Sequence, residues 1–325
     1  MIQLNKLLSA LNIPFSEGVS EIHRVVFDSR LANENTLFVA IEGVSVDGHS
    51  FLQQVADQGC QYAIIQRSVD VPGGMRCFQV PDTRIALAEL ACFWYDNPSK
   101  ELTLVGITGT NGKTTTATLL FNLFTQLGYK TGLISTVVNK IGEEQVPATH
   151  TTPDPFALNE LLRKMVDAGC AYCFMEVSSH AMAQHRVRGL RFRGGVFTNL
   201  TRDHLDYHGT MENYFLAKRA FFDSLESTAF ALYNADDAYG QAMVSCSAAI
   251  KVAYTLKGGA DLPAGQVVFG GSNLVLEPGS LRMDTTEISV QANLTGRFNA
   301  YNALAVYAVA RLLSAAPVDI SKALA

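Results

Sequence analysis

The run Thr108-Gly109-Thr110-Asn111-Gly112-Lys113-Thr114-Thr115 carries the residue types a phosphate group requires, and it lies between an apolar stretch at 102–107 and a helical pattern at 113–127. Glycines let backbone N–H groups come close to phosphate oxygens, and the helix that follows presents the positive end of its dipole. Lys113 adds a full charge for the β and γ oxygens, and the Thr114 hydroxyl can ligate Mg²⁺. The spacing departs from the general G-x-x-x-x-G-K-[ST] pattern, because Ile107 stands five residues before Gly112 and the nearest glycines are Gly106 and Gly109. A plain glycine turn opening a helix is the alternative. Strand, Gly-Lys-Thr and helix nevertheless follow in the order of a phosphate cradle, so triphosphate binding is the expectation.

Such a site needs a metal shell, and in a parallel sheet ligands converge at the carboxyl ends of the strands. Glu176 closes the apolar stretch 172–175 and would stand beside the phosphate loop if the two strands are neighbours; otherwise it is a strand-end carboxylate in solvent. His204 follows the stretch 196–199 within Thr201-Arg202-Asp203-His204-Leu205-Asp206, again a carboxyl-end loop. Five of the seven histidines (His150, His180, His185, His204 and His208) fall between 150 and 208, which favours a site, although each taken singly reads as structural. Arg186 is a cation suited to pyrophosphate or carboxylates.

Positioning these residues takes a layered scaffold. Residues 1 to about 98 alternate strand-like stretches (24–28, 36–41, 62–66, 77–80) with helix-like ones (50–58, 84–94), which predicts a small α/β domain. Asp96-Asn97-Pro98-Ser99 is a turn or linker. A longer series follows: strand 102–107, helix 113–127, strand 131–135, helix 155–168, strands 172–176 and 196–199, helix 211–225 and strand 229–233. Alternation at this spacing predicts βαβ units and a mostly parallel sheet. Between 267 and 294 the texture becomes strand-turn-strand, predicting antiparallel hairpins, and a helix at 299–313 leads to Ala325 with no further strand.

Length and composition agree with two domains in 325 residues. A net charge of −5 excludes a generally basic, nucleic-acid-coating surface. The start is interrupted by Asn5, Lys6, Ser9 and Asn12 and does not read as a signal peptide, and no apolar run reaches the roughly 18 residues a bilayer requires. Six scattered cysteines do not form a disulfide framework, so a cytoplasmic location and no membrane insertion are expected. Cys170 and Cys173 have redox spacing but straddle a helix stop and a buried strand; Phe215, Phe221, Phe222 and Leu225 read as one buried helix face, and Trp94 as packing for the last helix of the first domain.

Four motifs together carry a resemblance: Gly109-Thr-Asn-Gly-Lys-Thr-Thr115, Thr151-Thr-Pro-Asp154, Glu176-Val-Ser-Ser-His180, and Thr198-Asn-Leu-Thr-Arg-Asp-His-Leu-Asp-Tyr-His-Gly209. The chain resembles the Mur ligase family of peptidoglycan synthesis, within it the group that adds the third peptide residue to UDP-N-acetylmuramoyl-L-alanyl-D-glutamate. Phe27-Asp28-Ser29-Arg30 and Gly296-Arg-Phe-Asn-Ala-Tyr-Asn302 extend the likeness to both ends. The first motif is common to the folylpolyglutamate synthetases as well; the other three are narrower.

The resemblance implies an ATP-dependent amide synthesis through an acyl phosphate, with two Mg²⁺ sites. It implies that Gly109 to Thr115 hold the phosphates, that Thr114, Glu176, His204 and Lys218 are metal ligands, and that Asn299 and Asn302 contact adenine. Lys218 is implied to be carbamylated, since an ammonium would repel Mg²⁺ while a carbamate offers anionic oxygen; read as an arbitrary helical lysine it would be a solvated surface cation. Phe27, Ser29, Val44, Ser45 and Val46 are implied at the UDP end, Ser29 being equally readable as a strand-end turn, and Thr151, Thr152, Ser178, Gln184 and Arg186 at the muramoyl peptide. The partners are then a UDP-muramoyl-dipeptide and an amino acid, meso-diaminopimelate favoured over L-lysine, and the protein is a monomer.

Complete Mur ligases carry a third, amino-acid-binding domain that this chain is expected to lack, leaving a UDP-binding domain at 1–98, a P-loop domain at 99–325, and no full turnover alone. Two rivals remain: a folylpolyglutamate-synthetase-like ligase, and a non-catalytic module that binds UDP-sugar peptide and ATP.

Overall fold

The structure is a computed structural model that describes every residue except 17–19, 44, 45, 259–261 and 264. The chain divides into two compact units: one formed by Met1–Asn97 with Pro155–Glu160 and Gln184–Gly189, the other by the remainder.

The first unit is built on four parallel strands, Arg24–Val26, Thr36–Val39, Tyr62–Ile65 and Arg76–Gln79, paired in that order. A helix over Leu4–Ala10, for which the sequence reading assigned no element, buries Leu4, Leu7 and Leu8 on one face and leaves Asn5, Lys6 and Ser9 in solvent. The polar residues that broke up the apolar start are thus the outer face of an amphipathic helix. The helix Thr83–Trp94 begins at Asp82, whose carboxylate accepts hydrogen bonds from the Arg84 and Ile85 amides. Trp94 packs at the edge of this core, 6.3 Å from Phe156 between ring centroids.

The second unit carries an eleven-stranded sheet in the order Glu144–Pro147, Val138–Ile141, Thr131–Ile134, Tyr172–Glu176, Thr103–Thr108, Gly194–Phe197, Phe230–Asn234, Ile250–Thr255, Val267–Glu277, Ser280–Thr285, Ser289–Ala292. From Thr131–Ile134 to Val267–Glu277 every pairing is parallel; the pairings outside are antiparallel. The architecture is therefore mixed α/β with a parallel centre. Strands such as Gly194–Phe197 and Phe230–Asn234 are buried along their whole length, as a sheet covered on both faces demands.

Further elements of the second unit carry no clear signal in the sequence. A hairpin pairs Val138–Ile141 with Glu144–Pro147 across a two-residue turn opened by Gly142 at φ 61°; its polar, partly exposed residues offered no apolar run. The strand Ile250–Thr255 starts with exposed Ile250 and Lys251 and shows apolar burial only from Val252. Beyond the helix Arg297–Leu312, which matches the expected 299–313, a further helix spans Pro317–Leu324, with Pro317 in its first turn and Ile320 and Leu324 buried one turn apart.

Helix Met211–Asp223 is capped by Thr210 and buries Phe221 and Phe222, with Leu225 buried just past its end, whereas Phe215 is only half-buried, against Tyr239 at 5.6 Å. None of the six cysteines is in a disulfide, and burial raises the Cys170 and Cys173 thiols above the ordinary range. Among the described residues no helix is long and apolar enough to cross a membrane.

Candidate nucleotide and metal site

The phosphate-loop strand Thr103–Thr108 and the strand Tyr172–Glu176 are parallel neighbours, with Glu176 opposite Ile107. That register sets the Glu176 carboxylate one residue short of the loop. It is buried rather than solvent-facing, and its charge is met by three donors: Thr114 Oγ1 at 2.8 Å and the Thr136 amide at 2.8 Å on Oε1, and Thr136 Oγ1 at 3.2 Å on Oε2. Burying a carboxylate is costly unless its lone pairs are taken up, and here they are.

Two glycines shape the loop. Gly109 has φ 149°, and a Cβ on it would collide with Thr198 Oγ1, which donates instead to the Asn111 carbonyl at 2.7 Å. Asn199 adds a two-way bridge, its side chain accepting from the Asn111 amide and donating to the Asn111 carbonyl, both at 3.0 Å. Gly112, at φ 88°, starts the helix Lys113–Gln126, and a side chain there would strike Asn302 Oδ1. Buried Asn302 therefore lies directly against the loop, within 3.5 Å of Thr116 Oγ1, and it donates to Asn299 Oδ1 at 3.0 Å. Thr115, beside it, is half-buried.

Two lysines meet on one acceptor. Lys113 Nζ donates to the Gly109 and Thr110 carbonyls at 2.9 Å each, and Lys218 Nζ reaches the same Gly109 carbonyl at 2.9 Å. Lys218 is 1% exposed, so it is no surface cation; its amine sits 4.7 Å over the Tyr214 ring, whose hydroxyl is 3.2 Å from Thr110 Oγ1. Burial first, and then the neighbouring Lys113 charge, hold the Lys218 amine well below the usual lysine range. Burial also lowers Lys113, against the pull of Glu176 and Asp203.

His204 takes left-handed backbone at φ 52° and heads the short helix Leu205–His208. Its half-exposed ring lies 3.5 Å from the Asp203 carboxylate and packs against His180 (5.1 Å) and Tyr214 (6.1 Å). His208 is buried, with Nε2 2.9 Å from Ser179 Oγ. Three of the five clustered histidines thus share one place. His150 stands exposed beside Thr149, and His185 belongs to the first unit.

The segment after the hairpin is tied to the same strand end. Thr152 Oγ1 donates to the Glu176 carbonyl at 2.9 Å and accepts from the Ser178 amide at 3.2 Å, while Thr151 Oγ1 lies 3.1 Å from Thr136 Oγ1. In the first unit Ser29 is buried in a single 3₁₀ turn, Ser29–Leu31, capped by Asp28, with Phe27 and Val46 exposed; Val44 and Ser45 lie outside the described residues. Arg186 sends Nε and Nη2 to Gln184 Oε1 at 3.0 and 2.7 Å.

Mg²⁺ suits the Thr114–Glu176 pair. It favours one or two carboxylates with the other positions left to phosphate and water, and among the described residues no group of three or more His, Cys, Asp or Glu could hold a metal by itself. Sequence reading singled out Thr114 and Glu176 but not Thr136, Thr198, Asn199 or Tyr214, which hold them and the loop. Thr198 and Asn199 open the fourth of the motifs that carry the resemblance, whereas Thr136 and Tyr214 have position as their only signal, one in a turn after the carboxyl end of a parallel strand and one on the helix that carries Lys218.

A parallel sheet whose glycine-shaped loop closes on a buried carboxylate from the next strand has the arrangement of a P-loop domain. The chain belongs to the Mur ligase family: residues 107–310 match the Mur ligase middle domain, and 21–95 the Mur ligase family catalytic domain. It is similar to proteins named UDP-N-acetylmuramoyl-L-alanyl-D-glutamate–2,6-diaminopimelate ligase. The one from Phocaeicola vulgatus is 45% identical over 99% of this chain and 66% of its own length; that from Cytophaga hutchinsonii is 48% identical over 96% and 64%. The chain thus spans just under two thirds of these relatives. A solved structure of a ligase of that name superposes with a TM-score of 0.83 at 22% identity, covering 99% of this chain and 66% of that one, a likeness of fold. A folylpolyglutamate synthase from Mycobacterium tuberculosis superposes less well, with a TM-score of 0.57 at 15% identity over 74% of this chain and 62% of its own.

Gly109→Ala tests the loop geometry. The added methyl must displace Thr198, so denaturant unfolding should show a loss of about 1–3 kcal/mol, and nucleotide affinity should fall at least about tenfold; a variant with unchanged affinity would show that the close approach of Gly109 to Thr198 is dispensable.

Proposed function

We propose that this chain forms the nucleotide-binding part of an ATP-dependent ligase that joins an amino acid, meso-diaminopimelate, to UDP-N-acetylmuramoyl-L-alanyl-D-glutamate, working in the cytoplasm as a monomer. The observation that carries this reading is the Thr114–Glu176 hydrogen bond at a glycine-shaped phosphate loop. The relatives' names supply the substrate class. Six cysteines without a disulfide fit a reducing compartment.

A carboxylate is a poor electrophile, so the D-glutamyl group is activated as an acyl phosphate, attacked by the amine, and phosphate leaves. Two anions must be brought together, and the site has to supply positive charge where they meet. Gly109 to Thr115 would hold the phosphates by backbone amides, and Lys113 would leave the loop carbonyls for the β and γ oxygens. Thr114 and Glu176 would hold one Mg²⁺, with Lys218 and His204 at a second. When bound, Mg²⁺ neutralises phosphate charge and aligns the transferred group. Asn302, pressed against Gly112, and Asn299 beyond it would face the adenine. Phe27, Ser29, Val44, Ser45 and Val46 would take the UDP, while Thr151, Thr152, Ser178, Gln184 and Arg186 would serve the muramoyl peptide.

Lys218 as a carbamate fits its surroundings. The depressed amine is more readily neutral, the form that adds CO₂, and its stem ends at the loop beside Lys113. A folylpolyglutamate-type ligase is disfavoured by relatives above 40% identity that bear the muramoyl name, and a binding-only module by the intact Thr114, Glu176 and Lys113 set.

Calorimetry should show that the chain binds UDP-N-acetylmuramoyl-L-alanyl-D-glutamate but not a folate; the reverse preference would overturn the substrate assignment. In a protein of the relatives' full length carrying this sequence, Lys218→Ala should lose about 100-fold or more in kcat, short carboxylic acids should partly restore it, and Lys218→Arg should remain inactive. A fully active Lys218→Arg enzyme would remove Lys218 from the metal site.

A further inference from the structure

At the opposite end of the large sheet from the phosphate loop lies a cavity of about 280 Å³, lined by Phe124, Leu127, Tyr129, Tyr172, the segment Leu313 to Ala316, and Asp319. One wall is aromatic: Phe124 and Tyr172 stand 4.5 Å apart between ring centroids, and Tyr129 meets Tyr172 edge-on at 5.0 Å. Two helices point their carboxyl ends at it, since Leu127 closes Lys113–Gln126 and Leu313 closes Arg297–Leu312. Asp319, exposed in the first turn of Pro317–Leu324, adds a carboxylate.

The sign of the field decides what such a cavity takes. Each helix carboxyl end carries roughly half a negative charge, and Asp319 carries a whole one, which together outweigh the amino end of an eight-residue helix that has Pro at its start. Among the described residues no Lys or Arg lines the cavity. Arg311, on the helix that ends at the cavity, donates to the Ala315 carbonyl at 2.8 Å and is held by Glu287 at 2.7 Å. Aromatic faces beside a carboxylate attract cations and repel anions. The volume is just below the range of roughly 300–1,000 Å³ for small-molecule sites, enough for about one ring with a short tail.

We propose that this cavity binds a small organic cation with an apolar body, an aryl- or alkyl-ammonium, at a place remote from the nucleotide. Its lining belongs to the far ends of the three elements that carry Lys113, Glu176 and Asn302, so a ligand here rests on the same scaffold without sharing a residue with the phosphate site.

Tyramine and its anionic counterpart 4-hydroxyphenylacetate separate charge from shape. In ¹H–¹⁵N spectra of the chain, tyramine should shift the Gly128, Tyr129 and Ser314 to Ala316 amides saturably, and the anion should bind several-fold more weakly or not at all. Asp319→Asn, a surface change, should weaken tyramine about three- to fivefold, and Ala315→Phe should remove the response by filling the space. Absence of saturable shifts at millimolar tyramine, equal binding of the anion, or an undiminished response in Asp319→Asn would each overturn the proposal; the last two hold even if Ala315→Phe does not fold.

Discussion

A carboxylate taken out of water at the end of a parallel strand is the constraint on which the second unit turns. Burying Glu176 at 1% exposure is costly without donors, and it receives three: Thr114 Oγ1 from the first turn of the helix after the phosphate loop, and the Thr136 amide and hydroxyl from the turn after Thr131–Ile134. Those bonds fix where the loop and the 135–136 turn can lie. The pairing of Tyr172–Glu176 with both Thr103–Thr108 and Thr131–Ile134 makes the geometry a matter of register, and a slip by one residue would turn the carboxylate to the other face.

The loop is then over-determined from the other side. Thr198 and Asn199 hold Asn111, Tyr214 and Thr201 hold Thr110, and Asn302 fills the space next to Gly112. Only glycine fits at 109 and 112, where φ is 149° and 88° and the neighbours sit inside the reach of a Cβ. Lys113 and Lys218 both donate to the Gly109 carbonyl, so two amines share a single acceptor at the start of the loop.

Much of this was legible in the sequence, for reasons that differ by residue. The phosphate loop showed because glycines, a lysine and a helix start leave a local signature, and the parallel centre because its strands are apolar from end to end. Glu176 was placed conditionally; adjacency of two strands separated by about 65 residues is a tertiary fact that no local pattern carries. Lys218 shows the same limit more sharply: as a residue in a helix it reads as solvated, and only its resemblance to a family motif suggested otherwise. The hairpin Val138–Pro147 was missed because its residues are polar and its pairing, not its burial, makes it a sheet. Thr136 and Asn199 act through backbone and amide bonds whose partners lie 40 and 88 residues away.

The central claim, that Glu176 and Thr114 form the metal-bearing side of a nucleotide site, is tested most directly by measuring the Mg²⁺ dependence of binding of a non-hydrolysable ATP analogue in the unaltered chain and in Glu176→Gln. The account predicts that Mg²⁺ tightens binding at least about tenfold in the unaltered chain and by less than about twofold once the carboxylate is an amide. The same gain in both would contradict it.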